Sequence, residues 1–159
     1  MSTLEVKAIQ APTGYKLAMP TGHILQTIQA ESTTQVTLTA TSWTDISLSA
    51  SITPMSTSSK ILVHVDNSLY NNQSSKHTTL TVFRGSVASG TNLGKSDWGF
   101  GSIYDGNNDQ MMNLSYTYLD SPSTTSAITY TCAARVNGGT GYAFMNTNKG
   151  NITLMEVAG

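Results

Sequence analysis

The chain has 159 residues, a formal net charge of −1, 11% charged and 38% hydrophobic residues. A single domain of that size buries roughly 70% of its unfolded surface, and a charge so near zero gives no electrostatic footprint for nucleic acid or an anionic membrane. Ser and Thr supply 44 residues and Cys132 is the lone cysteine, which excludes an intrachain disulfide or a cysteine zinc cluster and leaves a hydroxyl-rich surface suited to exposed β-faces.

Residues 1–22 differ in pattern from the rest of the chain. Pro12-Thr13-Gly14 recurs as Pro20-Thr21-Gly22, with short apolar pieces before each, too few to enclose a core. This segment is expected to be an extended arm lying on another surface, with Val6, Ile9, Pro12, Leu17, Met19 and Pro20 as its attachment residues. The start of the chain lacks a basic segment followed by an apolar run, and no stretch approaches the roughly eighteen apolar residues of a membrane span. Synthesis in a cytoplasm without membrane insertion is the expectation.

From residue 23 to 159 strand-like runs alternate with turn-rich gaps. Strands are predicted near 24–30, 35–41, 45–52, 60–68, 78–84, 97–103, 111–119, 126–136, 141–146 and 151–157. In the third, Ile46, Leu48, Ala50 and Ile52 alternate with Ser47, Ser49 and Ser51, as expected of a strand with one face on a core and the other in water. Other strands carry apolar residues on both faces, such as Leu62 behind Ile61, Val63 and Val65, or Met111 and Leu119 behind Met112, Leu114, Tyr116 and Tyr118. Such strands need a second layer, and another subunit is the reading favoured. Cys132, on a strand, is expected to be a buried small hydrophobe.

Two connections share one plan. Ser51-Ile52-Thr53-Pro54-Met55-Ser56-Thr57-Ser58-Ser59-Lys60-Ile61-Leu62-Val63 and Tyr118-Leu119-Asp120-Ser121-Pro122-Ser123-Thr124-Thr125-Ser126-Ala127-Ile128-Thr129-Tyr130 both run strand, proline, Ser/Thr cluster, strand. Proline fixes φ and withholds an N–H, while the hydroxyls behind it bond turn backbone. These are hairpins or sheet-to-sheet corners of an all-β domain.

No catalytic or cofactor-binding pattern stands out. Asp105-Gly106-Asn107-Asn108-Asp109 starts like a calcium loop but has Gln110 and Tyr116 where an EF-hand needs glycine and glutamate. The three histidines lack helical metal spacing, and no Gly-x-Ser-x-Gly occurs. The chain is therefore read as a non-enzyme with no cofactor and no metal. Aromatic residues beside amides and carboxylates are the usual means of holding sugar rings, which singles out Trp98, Tyr104, Asp105, Asn107 and Asn108 as candidate ligand-binding residues. Tyr116 and Tyr118 alternate along a strand and are read as packing.

The two proline phrases, the closing Ile152-Thr153-Leu154-Met155-Glu156-Val157 and the leader Val6-Lys7-Ala8-Ile9-Gln10-Ala11-Pro12-Thr13-Gly14 together resemble a group of tailed-bacteriophage virion proteins that includes tail-fibre and related appendage proteins. The resemblance implies an antiparallel, jelly-roll-like β-sandwich knob forming a homotrimer, with the leader as attachment or intertwining segment. It implies partners among other virion proteins of tail, neck or capsid, and a place on the extracellular particle. The function expected is a fibre- or spike-type virion appendage adhering to host-surface glycan. The alternatives are a capsid decoration or cement protein or a head or neck fibre, and then a glycan depolymerase. The motifs carry no catalytic residue, and the stretches 68–76 and 85–109 follow no shared pattern.

Overall fold

The computed structural model describes residues 19–106 and 110–159. Its eleven strands are, in chain order, β1 (Ile24–Ser32), β2 (Val36–Leu38), β3 (Thr44–Ile52), β4 (Lys60–Asn71), β5 (Lys76–Arg84), β6 (Thr91–Asn92), β7 (Gly101–Asp105), β8 (Gln110–Asp120), β9 (Ile128–Val136), β10 (Gly141–Ala143) and β11 (Gly150–Val157). A short 3-10 turn at Met145–Thr147 separates the last two.

Two antiparallel sheets form a sandwich. The long strand β4 takes β8 along its whole length on one side and β11, then β10, on the other, with β1 beyond β11 and β2 beyond β10. In the opposing sheet β9 lies between β3 and β5, and the outer side of β5 carries β7 and β6. Without the three short strands β2, β6 and β10, the orders are β1-β11-β4-β8 and β3-β9-β5-β7. Each chain neighbour of the form β3 to β4, or β8 to β9, crosses between sheets, which is the double Greek key of a jelly roll.

The core arises from the alternation in sequence. Ile46, Leu48, Ala50 and Ile52 are buried between the sheets against Ile61, Val63 and Val65 of β4, Val82 of β5, Cys132 of β9 and Leu154 of β11, while Ser47, Ser49 and Ser51 face water. Three predicted strands lose three or more of their expected residues. The segment expected as a strand over 97–103 is a turn until Gly101, because Gly99 has φ +52°. The segment at 141–146 ends at Ala143, where Phe144, Asn146 and Thr147 adopt left-handed conformations, and 35–41 shortens to three residues.

Both proline connections are sheet-to-sheet corners, and each is held by a buried carboxylate contributed from within the motifs. At the first, between β3 and β4, Pro54 is buried and Ser56 Oγ accepts from Ser58 N at 3.2 Å. Glu156 of β11 lies fully buried beneath it and accepts from Met55 N at 2.7 Å and from Gln26 Nε2 at 2.6 Å. At the second, between β8 and β9, Asp120 accepts from Arg84 Nη1 at 3.1 Å and from Tyr130 Oη at 2.7 Å, tying β8 of one sheet to β5 and β9 of the other. Burial and the Asp120 carboxylate both push the Tyr130 phenol well above its ordinary range, so it stays a donor.

Burial works to raise the Glu156 carboxyl, but donation from Gln26 and from the corner backbone outweighs it and holds the group below its ordinary value of 4.5. A depressed carboxyl stabilises the fold above its unfolded pKa and loses that contribution as pH falls through the folded value. The resistance of the wild type to urea is therefore expected to weaken as pH drops below 4.5, with a shallower acid slope in Glu156→Gln. At neutral pH, Asp120→Ala strands a guanidinium and a buried phenol and is expected to cost about 3 kcal/mol. Tyr130→Phe, which removes one donor, is expected to cost about 1 kcal/mol.

Candidate functional site

Because β4 runs from the first corner to the opposite end of the sandwich, the molecule has two unlike ends, separated by roughly 36–40 Å of strand. The corner end carries both proline corners and the beginning of the described chain. Gly22 N donates to Ala158 O at 2.8 Å, and Ala158 N to His23 O at 2.8 Å, tying residues 22–23 to the C-terminal end of β11. Met19 is 41% exposed and, with Ile24, Leu25, Met55 and Ala158, lines a cavity of about 710 Å³. Of the expected attachment residues, Met19 and Pro20 lie here, while Val6, Ile9, Pro12 and Leu17 lie outside the described residues.

At the other end three connections are stitched together by asparagines. Asn71 is buried, donates to Thr78 Oγ1 at 3.1 Å and Gly138 O at 3.3 Å, and accepts from Gln73 N at 3.0 Å. Asn72 Oδ1 accepts from Thr140 N at 2.8 Å, Asn137 Oδ1 from His77 N at 2.6 Å, and Ser74 Oγ donates to Gly106 O at 3.1 Å. This network fixes the β4–β5 connection, which crosses from one sheet to the other, against the β9–β10 loop and gives β5 a defined start.

The antiparallel register then places His77 directly opposite Tyr104. Their ring centroids are 4.9 Å apart at 43°, and Trp98 meets the same imidazole edge-on at 5.1 Å and 90°. The two outer rings are open to solvent, Trp98 at 47% and Tyr104 at 52%. His77 is half-buried between them, its Nδ1 enclosed and without a hydrogen-bond partner among the described residues. Such a cluster offers apolar ring faces with polar edges, the arrangement on which a sugar ring stacks.

Trp98 is held in place by its own turn. Lys95 and Gly99 exchange backbone hydrogen bonds at 2.9 and 2.7 Å, so the chain folds back around Asp97 and Trp98. Trp43 Nε1 donates to Ser96 O at 3.1 Å, Arg135 donates to Asp97 O, and the Arg135 guanidinium stacks 5.1 Å above the Trp43 ring. Gly99 has φ +52°, and a Cβ there would collide with Leu80 O and stand 2.9 Å from the Trp43 ring.

Of the candidate ligand residues, the structure thus brings Trp98 and Tyr104 together through His77. Asp105 closes β7 opposite Lys76, and Asn107 and Asn108 lie outside the described residues. The missing member was His77, whose proximity to Tyr104 exists only once the β5–β7 register is known. Other described aromatic residues contact one another: Phe100 stacks with Tyr116 at 6.0 Å and meets Tyr118, itself 37% exposed, at 5.6 Å, and Tyr142 meets Tyr70 at 5.7 Å. His64 pairs with Thr117 at 2.9 Å and His23 with Pro20 O at 3.1 Å. Cys132 is fully buried, and burial pushes its thiol up to about 12, which keeps it a protonated, inert core side chain.

No known family model and no curated sequence matches the chain. Among solved structures it is similar to the VP2 subviral particle protein of infectious bursal disease virus, with a TM-score of 0.48 and 7% identity over 97% of this chain and 37% of that one. The Gx strain structure of the same virus gives 0.47 and 8% over 97% and 37%, and the T13 viral particle 0.44 and 10% over 96% and 40%. The chain therefore spans well under half of those proteins. A likeness of that degree concerns broad architecture and assigns no role.

Gly99→Ala tests whether the Trp98 turn is as constrained as its geometry demands. A loss of about 2 kcal/mol in urea unfolding is expected, since the side chain requires both an unfavourable φ and displacement of the Leu80 backbone. A stability within about 0.5 kcal/mol of wild type, the range of ordinary surface substitutions, would show that the turn yields.

Proposed function

We propose that the chain is a non-enzymatic structural component of a virion, an appendage of the tail-fibre type that adheres to host-surface glycan through the Trp98–His77–Tyr104 cluster. The observation that carries the adhesive part is the pairing of two solvent-open aromatic rings on one imidazole, at a loop end braced by Asn71, Asn137 and Arg135. Loops presented by a rigid scaffold are where recognition concentrates. The virion part draws on the resemblance of the proline corners, the leader and the last strand, and the two corners lie at the end of the molecule opposite to the rings. One end is then available for the particle and the other for the host.

Attachment belongs to the arm of residues 1–22, whose described end opens beside the cavity lined by Met19, Ile24 and Met55. In the three-fold order that the resemblance implies, three weak glycan sites add as avidity, so a modest single-site affinity suffices on a repetitive surface. The same cavity also favours a second reading, a capsid decoration protein whose work is to grip coat subunits. Copy number on the particle, and whether loss of the protein reduces adsorption or head stability, separates the two.

The test is binding of the purified protein to a glycan array and to host-surface polysaccharide. Trp98→Ala and Tyr104→Ala are each expected to weaken binding roughly tenfold while leaving the unfolding midpoint near that of wild type. Binding untouched by both substitutions would remove the cluster from the function. Steady release of reducing sugar from the polysaccharide would replace adhesion by depolymerisation.

A further inference from the structure

The strand β8 is a sheet edge of an unusual kind. Among the described residues it pairs only with β4, in unbroken register from Ile61↔Asp120 to Asn71↔Gln110. Long edges are normally protected by charge, proline, a bulge or brevity, because their free N–H and C=O groups invite another strand. The other edges show such protection. β1 has a register shift at Ile24/Gln26 and the Glu31–Lys149 ion pair, and β3 has a shift between Asp45 and Ser49 with Ser47 at φ +57°. β2, β6 and β7 are short. From Met111 to Leu119, β8 has no charge, no proline and no bulge.

It also exposes apolar side chains on both faces. Met112 and Tyr118 lie on the face that looks toward the opposing sheet, at 46% and 37% exposure, and Leu119 on the outer face at 46%. Met111, whose sulfur accepts from Asn148 at 3.0 Å, is 45% exposed on that same outer face. Together they leave on the order of 300 Å² of apolar surface spread over the two faces of one edge, comparable to the largest patch on a typical monomer.

The order of these residues identifies the occupant. Read outward from Ser115, the strand is a palindrome in polarity: Leu114 and Tyr116, Asn113 and Thr117, Met112 and Tyr118, Met111 and Leu119. Two antiparallel copies centred on Ser115 would place Met111 opposite Leu119 and Met112 opposite Tyr118 twice over, with Asn113 opposite Thr117 between them. A two-fold contact demands this self-complementarity, since residue i must meet j while j meets i. A strand from an unrelated partner has no need of it.

We propose that β8 pairs edge to edge with β8 of a second copy of this chain, about a two-fold axis at Ser115, making one continuous sheet from two sandwiches. Antiparallel pairing points the two Trp98 ends in opposite directions. It joins copies without multiplying sites on one surface, and its failure would leave the adhesive reading intact.

Sedimentation of the full chain across a concentration series is expected to give an even number of copies of the 16.9 kDa chain, with dissociation on dilution. Met111→Lys with Leu119→Lys sets like charges opposite each other at both ends of the pair and is expected to weaken association at least about tenfold. Met111→Lys with Leu119→Glu sets opposite charges there and is expected to restore it. Both replaced side chains are exposed, and circular dichroism of both variants is expected to match wild type. A monomeric or purely three-copy wild type, a lysine pair without effect, or a charge exchange as weak as the lysine pair would each overturn the proposal. Loss of association on removing residues 1–18 would overturn it too, by assigning the contact between copies to the leader.

Discussion

Two carboxylates buried at one end of the sandwich carry the architecture. A jelly roll must take its chain from one sheet to the other at corners where the ladder stops, and the backbone groups freed there have to be satisfied. At the first corner Glu156 reaches from β11 and accepts the Met55 amide; at the second Asp120 accepts both the Arg84 guanidinium and the Tyr130 hydroxyl. Proline sets the direction of each corner and supplies no donor of its own, while the acid supplies the acceptor that its neighbours need. Burying a charge is costly unless it is hydrogen-bonded, so each acid specifies its corner: only the correct docking of β11 on the first, or of β5 and β9 on the second, makes the burial tolerable.

This division of labour leaves the opposite end free. There uncharged Asn71, Asn72 and Asn137, with the Arg135 guanidinium at the Trp98 turn, position loops without consuming the rings they display. Trp98 and Tyr104 stay open while Trp43, Phe83 and Phe100 pack. The fold thus separates the residues that define its shape from the solvent-open rings proposed to meet a ligand, as expected of a scaffold that presents loops.

Much of the scaffold is legible in the sequence, because the hydrophobic and hydroxyl faces of β3 alternate with period two and because proline and the Ser/Thr clusters mark both corners. That both are chain reversals between strands was legible, with hairpin and corner equally allowed; that they cross between sheets, and the partners of Asp120 and Glu156, were not, since Arg84 and Gln26 are separated from these acids by 36 and 130 positions. The same reason hid His77, which joins Trp98 and Tyr104 only through strand pairing. Sequence periodicity overextended the strand at 97–103 because the apolar pattern of Trp98 and Phe100 resembles a strand, whereas the left-handed Gly99 between them turns the chain. The short strand β6 left no signal, having two polar residues and no alternation.

The separation of ends is probed most sharply by the two tryptophan indole N–H signals during titration with host-surface polysaccharide. The Trp98 signal is expected to move together with the His77 and Tyr104 ring resonances, while the Met55 and Ser123 amides at the corners remain in place. Shifts confined to the corner end, with the Trp98 indole unmoved at saturating ligand, would refute the separation.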